Sequence, residues 1–486
     1  MKQPDADGAD TDRESPSTAQ AVDDEMTRLA EQVAAEIAES GPPGWQSMAA
    51  SFALTVAEEA VDVVFTVDDR SVRVDPPNAV LASVRRLREV SARLEQGPWW
   101  RLLLWSSEAG APEFGYDYGE EPFPDGQLFA PEVYRSDLSA YPRDRLPVWL
   151  AAYIGHGERQ TRSPRSAVTA VHTHRAAGVR PVPLQNQLPD LPVLWARWAV
   201  LSAAFVAVGS PLGPRMLPSL GWFESSRRSG STLYVLPGGR AVLSGGVWNP
   251  PELDAVYNED APMPNYYAGA PDWVADPVLN PRAAAGLLSF CYWWEEGRWW
   301  RGESPSPERC GSAVPGVWTV GTVVDIVTGQ LPDREDTRRR DAADALVSAA
   351  QVGIVTRAMV SDVFGEAEDF DIEAVLRQFS IAGVTARELP QPISAGDAID
   401  RVRTYILERG LDTTRYPVEE LTADRVDVGW MVYVPVPRGE IAIGRAIFYV
   451  ADDGVVEHST SSIAPSVYVI GFEQRYLRRQ GSYGEG

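Results

Sequence analysis

Residues 51–107 read SFALTVAEEAVDVVFTVDDRSVRVDPPNAVLASVRRLREVSARLEQGPWWRLLLWSS. Three strand-like stretches come first, SFALTVAEEA, VDVVFTV and SVRVDP, with Asp68 and Asp69 as the turn between the last two. The period then changes: Val80, Val84, Leu87 and Leu94 share one helical face, with arginines on the other. Gly97 and Pro98 stop that helix before a further strand, WWRLLLWSS. Upstream, MTRLAEQVAAEIAES from Met26 to Ser40 puts Met26, Leu29, Val33 and Ile37 at helical spacing, and GPPGW closes it. Helix, antiparallel meander, helix and strand predict an α+β layer.

The chain has 486 residues, more than one core usually fills, so two to four domains are expected. Its 39 prolines and 40 glycines imply many turns and short strands. A formal charge of −24 disfavours nucleic acid and anionic membranes as partners and would steer a basic protein toward this one, although acidity also serves solubility alone. Two cysteines, Cys291 and Cys310, are too few for a disulfide framework, and no apolar run approaches a membrane span. The N-terminus MKQPDADGADTDRESPSTAQ lacks the apolar core of a signal peptide. These features predict a cytoplasmic protein whose residues 1–24 form a disordered acidic tail.

The first module, residues 25–155, ends in FGYDYGEEPFPDGQLFAPEVYRSDLSAYPRDRLPVWL, an aromatic, acidic and proline-rich stretch with the look of a surface, closed by a short amphipathic helix over 147–153. Residues 156–190 carry Arg159, Arg162, Arg165, Arg175 and Arg180 with few large apolar residues and are expected to be a linker. A second α+β module over 191–332 opens with a helix from Pro192 to Val208 and a hairpin turning at Pro237, Gly238 and Gly239. It closes on a stretch rich in tryptophan, where Trp293, Trp294, Trp299 and Trp300 surround Glu295, Glu296 and Gly297 and the chain is expected to turn back on itself. Residues 333–390 are expected to be helical. The last module, 391–486, starts with AGDAIDRVRTYILERG, capped by Ser394 and ended by Gly410. The strands VGWMVYVPV, AIGRAIFYVAD and GVVEHSTSS follow, and SVYVIGFEQRYLRR is a final strand or helix. The fold class is therefore α+β, several modules each with helices on an antiparallel sheet.

Four histidines, no CxxC pair, no HExxH and no GxSxG leave the usual catalytic signatures unfilled. His172 and His174 would form a metal half-site on a strand but lack a third ligand nearby in sequence, which favours an incidental pair. No metal or other cofactor is expected, and Cys291 reads as a buried thiol. The glycines of LPGGRAVLSGG are turn glycines rather than a phosphate loop. Asp117, Glu120, Glu121 and Asp125, beside Trp99 and Trp100 as sugar platforms, could serve a glycoside hydrolase, although acids in a turn are more often a solvated face. The same stretch could instead be a docking patch, with Tyr116, Tyr118, Phe123, Phe129 and Tyr134 as aromatic anchors among the charges.

The order helix, GW, meander, helix, GPWW strand, FGYDYGEEPF and PEVYRSDLSAYPRDRLPVWL resembles the YezG-like family of bacterial immunity proteins over residues 25–153. Residues 395–475, with one helix leading to VGWMVYVPVPRG, AIGRAIFYVADDG and VVEHSTSS, are similar in layout to the YrhB-like immunity family. The resemblance implies a fused, non-catalytic protein that neutralises a toxin domain by direct contact, without a cofactor. On that reading Tyr116, Asp117, Tyr118, Glu120, Glu121 and Phe123 in the first module and Trp430, Tyr433 and Glu440 in the last are the expected partner contacts, with Trp430 more a core residue than a contact. A basic toxin domain is the expected partner. A regulatory or scaffold protein, and a hydrolase with an unrecognised carboxylate site, are the alternatives.

Overall fold

The computed structural model describes residues 18–108, 110–332, 336–365, 370–386, 392–414, 416–436 and 444–479. They fall into two compact units, Met1–Thr385 and Ala386–Gly486.

The first unit opens with α1 (Thr18–Glu39), β1 (Ser47–Leu54), β2 (Glu59–Val67), β3 (Arg70–Arg73), α2 (Asn78–Ser91), β4 (Arg101–Ser107) and β5 (Glu113–Asp117). The five strands form one sheet in the order β3-β2-β1-β4-β5, antiparallel throughout. Asp68 and Asp69 both adopt positive φ, 47° and 61°, between the paired residues Val67 and Arg70. That is the conformation of a two-residue turn whose twist matches the strands, and Asp tolerates it better than most residues. Met48, Phe52, Phe65, Leu102 and Leu104 on one face pack against Val33 and Ile37 of α1 and Val84 and Leu87 of α2. Because α1 begins at Thr18, the end of the expected acidic tail, 18–24, is helical, and residues 1–17 lie outside the described residues.

The chain continues through α3 (Pro131–Ala140), α4 (Val148–Gly155), α5 (Pro164–Ala176), β6 (Val182–Pro183), α6 (Leu191–Ala207), β7 (Arg215–Leu217), β8 (Leu220–Glu224), β9 (Gly230–Leu236), β10 (Arg240–Gly246), α7 (Pro251–Asn258), β11 (Phe290–Glu295) and β12 (Arg298–Arg301). A second antiparallel sheet runs β6-β12-β11-β10-β9-β8-β7. The stretch expected to be a linker, 156–190, is folded into this unit. Ser163 caps α5 by accepting from the Ser166 amide, and β6 extends the sheet. Gln160 is buried with its amide bonded in both directions to the Leu288 backbone, at 2.8 and 2.9 Å. Its few large apolar residues hid this: only Leu184 and Leu188 enter the main core, and the Gln160 bonds to the Leu288 backbone supply a further tie that no hydrophobic stripe announces.

The helices α8 (Val320–Gly329), α9 (Thr337–Val352), α10 (Arg357–Phe364) and α11 (Ile372–Ala382) follow. They share a core with α6 and with Leu233, Leu243 and Tyr292 of the sheet. α6 is apolar nearly all round and so must be covered on every side. The sheet takes one flank, α8, α9 and α11 take others, and Trp195 of α6 donates to the Ala382 carbonyl at 3.0 Å. Of the segment 333–390, the described helices α9, α10 and α11 are thus part of the second module's core.

The second unit comprises α12 (Ala395–Glu408), β13 (Thr422–Val426), β14 (Gly429–Tyr433), β15 (Ala446–Ala451), β16 (Val456–Thr460) and α13 (Pro465–Arg479), with the antiparallel sheet order β13-β14-β15-β16. Ala398, Val402 and Ile406 of α12 cover one face against Val432, Phe448 and Val450. The closing segment, open between strand and helix in the sequence, is a helix. Tyr468, Phe472 and Tyr476 recur every four residues and lie against Tyr449 on the other face. Among the described residues no helix is long and apolar enough to cross a membrane.

Candidate functional site

Among the described residues the five-stranded sheet packs α1 and α2 on one face, and the other is open apart from the short helical turn Asp125–Gln127 at one end. On the open face, strand pairing sets residues side by side in rows, because side chains alternate along each strand. One row runs Arg73, Val64, Ala49, Trp105 and Glu113 across all five strands. The next runs Asp62, Ser51, Leu103 and Gly115. Trp105 is 47% exposed. A Cβ built on Gly115 would lie 3.6 Å from its ring, so the outer edge of the indole reaches over a position with no side chain. Two ion pairs flank this centre, Arg73–Asp62 at 2.7 Å and Arg101–Asp117 at 2.8 Å. Gln127 closes one end of the face, accepting from Arg101 and donating to Ser51, both at 2.7 Å. The open face thus carries an exposed aromatic beside small residues, rimmed by paired charges.

The residues expected as contacts in this module are placed differently. Tyr116 sits on the helix side of β5 and stacks on Trp99 at 6.4 Å between ring centres. Burial pushes its hydroxyl up to about 12. Tyr118 packs at the edge of the same core, its hydroxyl also raised by burial. Phe123 is buried between Trp149 and Tyr134, at 5.2 and 6.1 Å, and is corrected from contact to core. Asp117 lies on the open face but is committed to Arg101 and to the Gly119 amide. Glu120 and Glu121 are exposed, and Glu121 reaches Arg228 at 2.8 Å. The aromatic anchors of this stretch therefore turn inward, and only its carboxylates face water. Trp105 is the exposed aromatic that the sequence reading missed. Its signal was the alternation within β4, which sends Leu102 and Leu104 to the core and Trp105 to the opposite face.

In the second unit Trp430 is half-buried and donates to the Ile393 carbonyl at 2.7 Å, with the Arg425 guanidinium 5.4 Å from its ring. The Tyr433 hydroxyl donates to Asp424 at 2.8 Å. Glu440 lies outside the described residues. A cleft of about 700 Å³ opens beside the stacked pair Phe448 and His458, walled by Leu411, Tyr416 and Arg445.

Trp99 and Trp100 are buried, so neither can serve as a platform for a sugar. His172 and His174 lie on α5, not on a strand, and the His174 ring bonds to Asn265 at 3.0 Å and to the Gly269 amide at 3.3 Å. Among the described residues no group of three or more His, Cys, Asp or Glu is gathered to hold a metal ion. Cys291 and Cys310 are free and buried. No protein-family profile matches this chain, and no curated protein matches it.

Proposed function

We propose that this chain is a non-catalytic binding protein of the immunity type, which neutralises a toxin domain by covering it. The observation that carries this reading is the open face of the five-stranded sheet, where Trp105 lies over Gly115 with Arg73 and Glu113 at the ends of its row. A face built on paired strands binds with little loss of conformational freedom, and a central tryptophan supplies most of the energy while its charged rim sets register. The partner is a basic protein: the chain carries −24 overall, most of it on residues 1–385, so encounter with a cationic domain is electrostatically steered.

Co-expression with a toxin domain encoded beside this gene tests it. The wild-type chain rescues growth, and Trp105→Ala, which removes the anchor, does not. Rescue that survives Trp105→Ala removes the sheet face from the account, and the absence of any neighbouring toxin favours a scaffold instead.

A further inference from the structure

A second concavity lies on the seven-stranded sheet, distinct from the face carrying Trp105. Its volume is about 300 Å³, at the small end of the range for ligand pockets. The floor is the cross-strand row Trp222, Thr232 and Ser244, directly paired on β8, β9 and β10. Arg282 and Leu287 close it from above, from the turn that follows Asn280. That turn is rigid: the buried Asn280 amide donates to the Val274 and Asp276 carbonyls at 2.7 and 2.9 Å, and the Tyr257 hydroxyl donates to the Gly286 carbonyl at 2.8 Å.

Three features mark this as a built pocket rather than a packing gap. First, Arg282 reaches across the sheet to Glu224 at 2.5 Å, and this crossing requires bare backbone beneath it. A Cβ at Gly230 would collide with both the Glu224 carboxylate and the Arg282 guanidinium, and one at Gly246 would lie 2.9 Å from Arg282 Cδ. Second, the Thr232 hydroxyl is buried and has no hydrogen-bond partner among the described residues, while its neighbour Ser244 donates to the Leu279 carbonyl at 2.8 Å. An orphaned buried hydroxyl destabilises a fold, and such cost is commonly retained where a ligand relieves it. Third, the half-buried Trp222 contributes an aromatic ring beside the polar groups of Thr232, Ser244, Glu224 and Arg282, with Pro281, Ala285 and Leu287 completing the wall.

We infer that this pocket binds a neutral, ring-sized polyol of the monosaccharide class. Charge decides against an anion, because Glu224 already neutralises Arg282. The pair nonetheless offers donors and acceptors side by side, which is what vicinal hydroxyls need, while Thr232 can give or take one more bond on a small rotation of its side chain. Trp222 supplies the apolar surface against which the C–H face of a sugar ring packs.

The test uses the full chain with D-glucose, D-galactose, N-acetyl-D-glucosamine and myo-inositol as probes and inorganic phosphate as the anionic control, read by saturation-transfer NMR and calorimetry. At least one polyol binds saturably, Trp222→Leu weakens it about tenfold, and Trp105→Ala leaves it unchanged. Thr232→Val lowers affinity while raising the melting temperature of the free protein by a few degrees, since it replaces an unsatisfied hydroxyl with a methyl group of the same shape. That opposite movement of affinity and stability is not produced by a residue whose role is structural. Failure of every polyol to bind, preferential binding of phosphate, or a Thr232→Val protein that melts lower would overturn the inference.

Discussion

Arg88 of α2 and Asp137 of α3 meet at 2.8 Å in the interior of the first unit, with neither side chain open to water beyond 7%. Each partner makes a further bond. Arg88 Nε donates to the Trp99 carbonyl at 3.0 Å, and Asp137 Oδ1 accepts from the Val56 amide at 2.8 Å. It ties the helix under the sheet to the loop between β1 and β2 and to the aromatic segment beyond β5.

Breaking one partner leaves the other charge buried and unpaired. Arg88→Met or Asp137→Leu alone is expected to cost about 3–5 kcal/mol, whereas the double substitution costs much less than the sum, because no charge is then stranded. Urea unfolding of the two single variants and the double variant measures this. Additive losses would show that the pair does not act as a unit.

Alkaline pH is expected to destabilise the first unit through its buried phenols. Burial raises Tyr116 and Tyr134 from an ordinary value near 10 to about 12. The folded state holds the neutral hydroxyl, so the stabilisation is complete below about pH 10 and is lost as pH rises from there through about 12, where the unfolded chain has released protons that the folded chain retains. Tyrosinate absorbance followed with unfolding across that range checks the sign. Stability that rises with pH there would contradict it.

Both thiols are expected to be silent in the folded protein. Burial raises Cys291, and raises Cys310 to about 11, and the Tyr292 hydroxyl donates to Cys310 Sγ at 3.2 Å. A disulfide reagent at neutral pH therefore titrates neither thiol in native protein and both in denaturant, because thiolate is the reactive form. Fast native labelling of Cys291 would mean that the β11 core opens.

The sequence was most legible where local chemistry and global packing agree. The Asp68-Asp69 turn, the reversal at Glu296 and Gly297, and the capping box of Ser394 and Asp397 are each specified within a few residues. It was least legible where a decision belongs to distant residues. Nothing near Tyr116 says which side of β5 the helices will cover, so the aromatic rings of FGYDYGEEPF looked like anchors when they are core. Nothing within 156–190 announces that Gln160 will be fixed by Leu288, far along the chain. Trp105 carried a readable signal, but its significance depends on Ala49 and Gly115 being small on the neighbouring strands, which only pairing reveals. The pocket over Thr232 was hidden for the same reason, being assembled from two hairpins and a turn.

Trp105→Ala is expected to change stability by less than about 1 kcal/mol, since the side chain is half exposed and fills no cavity, while costing about 2 kcal/mol or more in partner affinity. The decisive measurement is capture from the native lysate by tagged wild-type chain and by Trp105→Ala, at low and at moderate salt, with bound proteins identified and quantified by mass spectrometry. The account predicts a stoichiometric basic protein carrying a toxin domain, held by the wild type, weakened by salt and lost with Trp105→Ala. Capture of no such protein by the wild type, or equal capture by the variant, would contradict it.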